Sequence, residues 1–265
     1  MKIKIYGLFL LLLSLLSCKD DESLNKLVLD KIVYHENVDQ VGQFKYYSNG
    51  TIQQYQYYFD NKQKEYTNYL YKNGRLVRKE FYSQLNNPIE SPYILTNTTL
   101  FTYYPTGEIA RAYLDRTLSK TTDIYRYTWS NGNAVKVEII YDSGTTSIYE
   151  MQYDAKGNVI KRLHFNVDND VPTLDFVIEY EYDNKINPLF ELNEPIDLLT
   201  NIPKNISPNN VVKSVQRLTE DGEAYSTTEI EYTYNEFDLP MEKIESTNLN
   251  GQESQSTVKF FYKRI

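Results

Sequence analysis

Residues 123–165 read DIYRYTWSNGNAVKVEIIYDSGTTSIYEMQYDAKGNVIKRLHF. Within this stretch an alternating aromatic run twice ends in a tight turn, and a second alternating run leaves. Tyr125, Tyr127 and Trp129 lead into Ser130-Asn131-Gly132, and Val135, Val137 and Ile139 follow. Tyr149, Met151 and Tyr153 lead into Asp154-Ala155-Lys156-Gly157, and Val159 and Leu163 follow. Period-2 alternation closed by Asn-Gly or a glycine-bearing loop is a strong local signal for a β-hairpin.

The same unit recurs in both directions along the chain. Copies end at Gly50, Gly74, Gly107, Gly132 and Gly157, with spacings of 24, 33, 25 and 25 residues. The long step falls in a proline-bearing stretch, 84–97, where Pro88 and Pro92 are unsuited to a central strand. Later copies keep the aromatic lead-in without the glycine, at Ile178/Tyr180/Tyr182 and Ile230/Tyr232/Tyr234, and Val258, Phe260 and Tyr262 mark the last strand. A second insertion spans 189–210 and holds Pro195, Pro203 and Pro208, with Asn193–Leu199 readable as one short helical turn.

This repetition predicts an all-β chain: a long antiparallel β-meander of about 16 strands built from repeated hairpins. One face carries Tyr, Val, Ile and Phe and the other Lys, Glu, Arg, Thr and Gln. The apolar face must be shielded, so the sheet is expected to curve into a half-barrel or a barrel-like sheet. No sustained 3.6-residue period marks a long helix. A chain of 265 residues buries roughly 70–75% of its unfolded surface, enough for a core without staples.

The N-terminus reads as an address. Met1–Lys4 is basic and Ile5–Leu16 is apolar. At about 12 residues the run suits a secretory signal and is too short to span a bilayer, which takes roughly 20. It ends in Leu15-Leu16-Ser17-Cys18, which resembles the bacterial lipobox; Cys18 is the sole cysteine, so the chain has no internal disulfide. The resemblance implies a signal peptide over 1–17, cleavage before Cys18, and diacylglyceryl and acyl (palmitate-type) chains on it. Several chains at ~0.8 kcal/mol per buried CH₂ hold a protein on a membrane. Lys19, Asp20, Asp21 and Glu22 resemble the acidic export signal of surface lipoproteins in Bacteroidetes-type bacteria; as a bare charge run they are a solvated spacer. Residues 18–25 are then an acylated cysteine and charged linker, and 26–265 a single repeat domain with insertions at 84–97 and 189–210.

The Tyr-x-Tyr-Asp/Asn lead-ins and Gly-Asn/Arg exits resemble the YD repeat of RHS-type proteins. Tyr180–Pro188, Ser207–Lys213 and Tyr232–Pro240 are similar to the C-terminal half of divergent YD-like repeat lipoproteins of Bacteroidetes, a group of unknown function. The resemblance covers most of 40–265. It implies a β-meander at the cell envelope and transfers no catalytic residue.

Few residues carry recognisable chemistry. The net charge of −8 excludes a phosphate-backbone partner, which calls for a basic surface, so no nucleic acid is expected. Of the two histidines, His35 and His164, the second lies opposite its apolar neighbours Leu163 and Phe165 and reads as a solvated surface residue. Neither has a second ligand at metal spacing. The carboxylate pairs Glu179/Glu181, Glu229/Glu231 and Asp168/Asp170 share strand faces; a glycosidase needs two carboxyl groups facing each other across a cleft, and a polar outer face explains these pairs without further assumption. Asn166–Asp170 is oxygen-rich without an EF-hand frame and reads as a polar hairpin loop. The 26 tyrosines either form the core or line a groove.

These observations lead to an expected function: a non-enzymatic, membrane-anchored lipoprotein, held at the outer membrane through Cys18, without a cofactor. It acts as a binding module at the cell surface, or on the periplasmic face, for a glycan or protein partner through 84–97 and 189–210. The alternative is a carrier sheltering a lipid or hydrophobic peptide on the curved apolar face; a hydrolase ranks below both.

Overall fold

A computed structural model describes residues 26–35, 40–84, 92–192 and 206–265. Cys18, the 19–22 charge run and the helical turn expected at 193–199 lie outside these residues. Sixteen strands follow in order. The first eight are β1 (Leu27–His35), β2 (Gln40–Tyr46), β3 (Ile52–Phe59), β4 (Lys62–Lys72), β5 (Arg75–Ser83), β6 (Ile94–Tyr103), β7 (Ile109–Arg116) and β8 (Thr121–Ser130). The rest are β9 (Asn133–Ile140), β10 (Thr146–Tyr153), β11 (Val159–Asp168), β12 (Val171–Ile186), β13 (Asn209–Arg217), β14 (Ala224–Tyr234), β15 (Pro240–Leu249) and β16 (Gln252–Arg264). Every strand pairs antiparallel with its sequence neighbour, and β16 closes on β1 through Leu27↔Arg264 and Ile32↔Phe260. The curved sheet is therefore a closed barrel, and closure removes the free edges that a meander otherwise exposes.

Turn chemistry sets the hairpins. Asn73-Gly74, Asn131-Gly132, Asn169-Asp170 and Asn250-Gly251 are two-residue turns in which both residues have positive φ, the geometry that matches strand twist. Longer turns place one left-handed residue at their end. In Tyr104–Gly107 the Gly107 N–H donates to the Tyr104 carbonyl at 3.0 Å. In the glycine-free copy Asp238, at φ 60°, takes that position and donates to Asn235. Asn169-Asp170 thus makes Asn166–Asp170 the end of a hairpin.

A bulge follows the aromatic that ends each lead-in. Register shifts occur at Lys45/Tyr46, Leu70/Tyr71, Thr102/Tyr103, Thr128/Trp129, Gln152/Tyr153 and Thr233/Tyr234. The extra residue lies second or third in the outgoing strand, such as Val135 or Ile160. Most of these aromatics then reach sideways to the outgoing, second strand of the preceding hairpin. Tyr103 Oη donates to the Leu76 carbonyl at 2.6 Å, Trp129 Nε1 to Ile109 at 2.7 Å, Tyr153 Oη to Ala134 at 2.7 Å and Tyr182 Oη to Val159 at 2.6 Å. Tyr262 donates to Pro240 at 2.8 Å, and Tyr46 donates to Leu29 on the closing strand. These bonds join neighbouring strands that no turn links at this end. Burial pushes the hydroxyls of Tyr153, Tyr182 and Tyr262 well up, so they stay protonated donors.

The interior has two halves. Toward the glycine turns it is packed apolar: Val137, Ile139 and Val159 have no exposure, and Tyr127 retains 2%. The apolar face on which a carrier would rest its cargo is this filled core. Toward the opposite end the inner wall turns polar, with Glu65, Asn97, Arg116, Asp123, Ser147, His164, Gln216, Thr228 and Glu245 as inward cross-strand partners. Most of these are half-buried, Asp123 at 1% exposure being the main exception. It pairs with Arg116 at 2.5 Å and accepts the Asp142 N–H at 3.1 Å.

Tyr153→Phe should lower unfolding free energy by about 1–2 kcal/mol, because it strands the Ala134 carbonyl. Tyr104, 42% exposed, also donates to a carbonyl (Tyr127), and Tyr104→Phe should cost under about 0.5 kcal/mol. Urea denaturation of the two variants compares them, and equal losses would refute a special role for the bulged aromatics.

Candidate functional site

The outer wall separates into two kinds of surface. Around most of the circumference it is a belt of opposite charges: Arg126–Glu138 at 3.1 Å, Arg217–Glu179 at 2.5 Å, Lys213–Glu181 at 3.8 Å and Lys259–Glu242 at 3.6 Å. Glu179 and Glu181 thus face outward against basic partners, and Glu229 and Glu231 are exposed on the same wall. Asp168 and Asp170 are exposed at a hairpin end. None of these pairs is brought across a cleft.

Over β3–β6, at the end away from the glycine turns, the wall carries aromatics and amides. Tyr66 and Tyr82 are directly opposed across β4 and β5. Their rings stack at 4.6 Å with 10° between planes, and Tyr93, just before β6, meets Tyr66 edge-on at 5.1 Å. Tyr58 completes the group and donates to Gln56 Oε1 at 3.1 Å. Gln56 Nε2 donates to Gln63 Oε1 at 3.3 Å, and Gln54 Nε2 to Asn68 Oδ1 at 2.8 Å. Tyr93 Oη donates to the Gln63 carbonyl at 2.9 Å, which fixes the incoming connection against the wall. The four rings are half-buried. Burial, then Glu80, holds the Tyr82 hydroxyl above the ordinary phenol range. Rings and neutral amides together offer stacking faces, donors and acceptors with little charge.

This cluster adjoins one expected contact element. The first insertion is shorter than read from sequence, since β5 runs to Ser83 and residues 94–97 belong to β6. The second lies at the opposite end of the barrel, between β12 and β13, where Phe190–Leu192 form a short 3-10 turn. The described ends of the two insertions thus lie at opposite ends of the barrel. Beside the second lies an apolar recess of about 280 Å³ lined by Leu27, Tyr46, Pro188, Leu192 and Phe237.

His164 departs from expectation. The bulge at Ile160 shifts β11 by one residue, which turns Arg162 and His164 inward and Leu163 outward. His164 is 8% exposed and stacks on Tyr149 at 4.5 Å, with Nδ1 3.0 Å from Asp175 Oδ2. Nothing is described of the His35 side chain. Among the described residues no group of three or more metal-ligating side chains is assembled.

No protein-family model matches the sequence, and no curated protein matches it. Among solved structures the chain is similar to a porin-like protein from Bacteroides uniformis, at 13% identity over 91% of this chain and 96% of that one, with a TM-score of 0.56. That likeness is one of fold. A porin-like protein from Bacteroides vulgatus matches at 11% identity over 90% of this chain and 100% of that one, TM-score 0.42. A chain of TcdB2-TccC3-Cdc42 matches at 12% identity over 85% of this chain and 13% of that one, TM-score 0.33. Neither of these last two similarities is strong enough to support an argument.

Burial holds the His164 pKa below the ordinary imidazole value, against the opposing pull of Asp175. The unfolded chain takes up this proton near pH 6.5 while the folded imidazole stays neutral. Stability is thus retained above about pH 6.5 and drains as pH falls below it, until the folded pKa is reached. Between pH 7.5 and 5.5 the urea midpoint should fall further in the wild type than in His164→Gln; parallel falls would contradict the assignment.

Proposed function

We propose that this chain is a lipid-anchored binding protein of the outer cell surface that recognises a glycan through the Tyr58–Tyr66–Tyr82–Tyr93 cluster. The observation that carries the reading is a cluster of stacked rings flanked by amides, bordered by the Arg78–Glu80 ion pair, on a wall elsewhere covered by ion pairs. Sugars present apolar C–H faces and many hydroxyls, which rings and amides match, whereas a charged belt repels their apolar faces. The barrel ends support an orientation. Lys26 lies eight residues beyond Cys18, so the chain reaches about 28 Å from the anchor at most. Lys26 meets Ile265 by a 3.1 Å backbone bond at the glycine-turn end. The tyrosine cluster, at the other end, faces away from the membrane.

The porin-like protein from Bacteroides uniformis raises a membrane-spanning pore as another model. Among the described residues no helix is long and apolar enough to cross a membrane, which leaves the strands. Their mid-wall ion pairs speak against a lipid-facing wall, where each Lys or Arg costs ~2–4 kcal/mol at the midplane. A tethered, water-facing barrel suits this surface. The apolar recess keeps a second reading open, a carrier of one short hydrophobic moiety at the anchored end; lipid recovered by mass spectrometry from purified protein would favour it.

In cells, protease should cleave the wild type on intact bacteria and spare a variant with Asp20→Ala and Asp21→Ala, while Cys18→Ala should release the protein from membranes. Protection of the wild type overturns surface exposure. On polysaccharide arrays Tyr82→Ala and Tyr93→Ala should each weaken binding about tenfold, a loss of ~1.4 kcal/mol. A partner sensitive to proteinase and insensitive to glycosidase would replace the glycan with a protein.

A further inference from the structure

Arg162 sits on the inner wall of β11, where the packed half of the barrel meets the polar half, and is 9% exposed. Its guanidinium carbon lies 5.6 Å from the Tyr149 ring centre and 5.5 Å from that of Phe176. Its Nε is buried without a hydrogen-bond partner, and the guanidinium makes no ion pair with a described residue. The other inward cations differ. Arg116 pairs with Asp123 and Lys243 with Glu245, each at 2.5 Å, and Lys79 lies over Tyr69. A desolvated guanidinium without an anion is costly, and ring faces recover only a part of that cost. Two residues along the same face, His164 presents a buried Nε2 that also lacks a partner, while its Nδ1 lies against Asp175. With the Nδ1 proton donated to that carboxylate, Nε2 is an acceptor. Asp175 is 45% exposed.

We infer that Arg162 and His164 form an anion site within the barrel that takes a small hydroxycarboxylate, the carboxylate on Arg162 and the adjacent hydroxyl donating to His164 Nε2. Residues i and i+2 of a strand stand about 7 Å apart, which a carboxylate and its α-hydroxyl bridge through two hydrogen bonds. A single guanidinium with Asp175 nearby favours a monoanion over a phosphate dianion. This site is independent of the outer tyrosine cluster, so loss of either leaves the other intact.

Calorimetric titration of the mature protein with lactate, propionate and inorganic phosphate tests the assignment. Lactate should bind at least tenfold more tightly than propionate, and Arg162→Met should abolish binding of both. The same variant should raise the urea midpoint of the unliganded protein, because it replaces an unpaired buried cation with an apolar side chain of similar length. Array binding through Tyr82 and Tyr93 should be unchanged in Arg162→Met, and its outcome there does not bear on the inner site. Absence of lactate binding by the wild type, equal affinity for lactate and propionate, tighter binding of phosphate, or undiminished binding by folded Arg162→Met would each overturn the proposal.

Discussion

The barrel depends on one recurring interaction, the hydrogen bond from a bulged aromatic to the backbone of the preceding hairpin. Turns join strands in pairs at the glycine end, leaving alternate neighbours there connected only by the ladder. Tyr46, Tyr103, Trp129, Tyr153, Tyr182 and Tyr262 bridge those unjoined neighbours. Each ring fills the interior while its polar tip meets a carbonyl that a bulge leaves available. Phenylalanine supplies the first property without the second, which is why tyrosine or tryptophan stands at these six positions. Tyr234 is the exception, donating to the Asp183 carboxylate. Asp183 also accepts from Asn210 N at 3.1 Å, so here a side chain takes over from a backbone carbonyl beside the long β12–β13 connection.

The bulges that make these carbonyls available also decide what faces the interior. A single extra residue in an outgoing strand transfers every later side chain to the other face. In β9 this leaves Val137 and Ile139 inside, whereas in β11 it turns Arg162 and His164 inward. The polar half of the barrel arises from such shifts together with Ser, Thr and Gln on β13–β16. Closed at one end and polar at the other, the molecule combines a core that supplies stability with an inner wall free to carry charge.

The two ends also divide the outer surface. Ion pairs spread around the wall each contribute little to stability, since exposed pairs are worth ~0–1 kcal/mol, but they keep the wall wetted. The aromatic and amide sector over β3–β6 departs from that pattern beside the first insertion. The recess beside the second insertion lies with the chain ends. The apolar recess and the aromatic sector are thereby kept apart by the length of the strands.

Much of the architecture was legible before any coordinates, because hairpin repeats are local. Alternation and turn residues are set by neighbours in sequence, so the strand number and the antiparallel order followed from Asp123–Phe165 and its copies, whereas the structure decided that Tyr125, Tyr127 and Tyr149 fill the core. Glu179 and Glu181 read as part of a polar outer face, and their pairing with Arg217 and Lys213 became visible only across strands. The inward turn of His164 was illegible because a bulge leaves no residue signature at Ile160. The outer tyrosines were equally hidden, since Tyr66 and Tyr82 look like core tyrosines until register shows which face they occupy. Sequence alone determined the repeating hairpin, whose geometry depends on local dihedral preference and period. Tertiary structure alone decided the closure, the facing of β11 and the gathering of Tyr58, Tyr66, Tyr82 and Tyr93, because these depend on register between strands far apart in the chain.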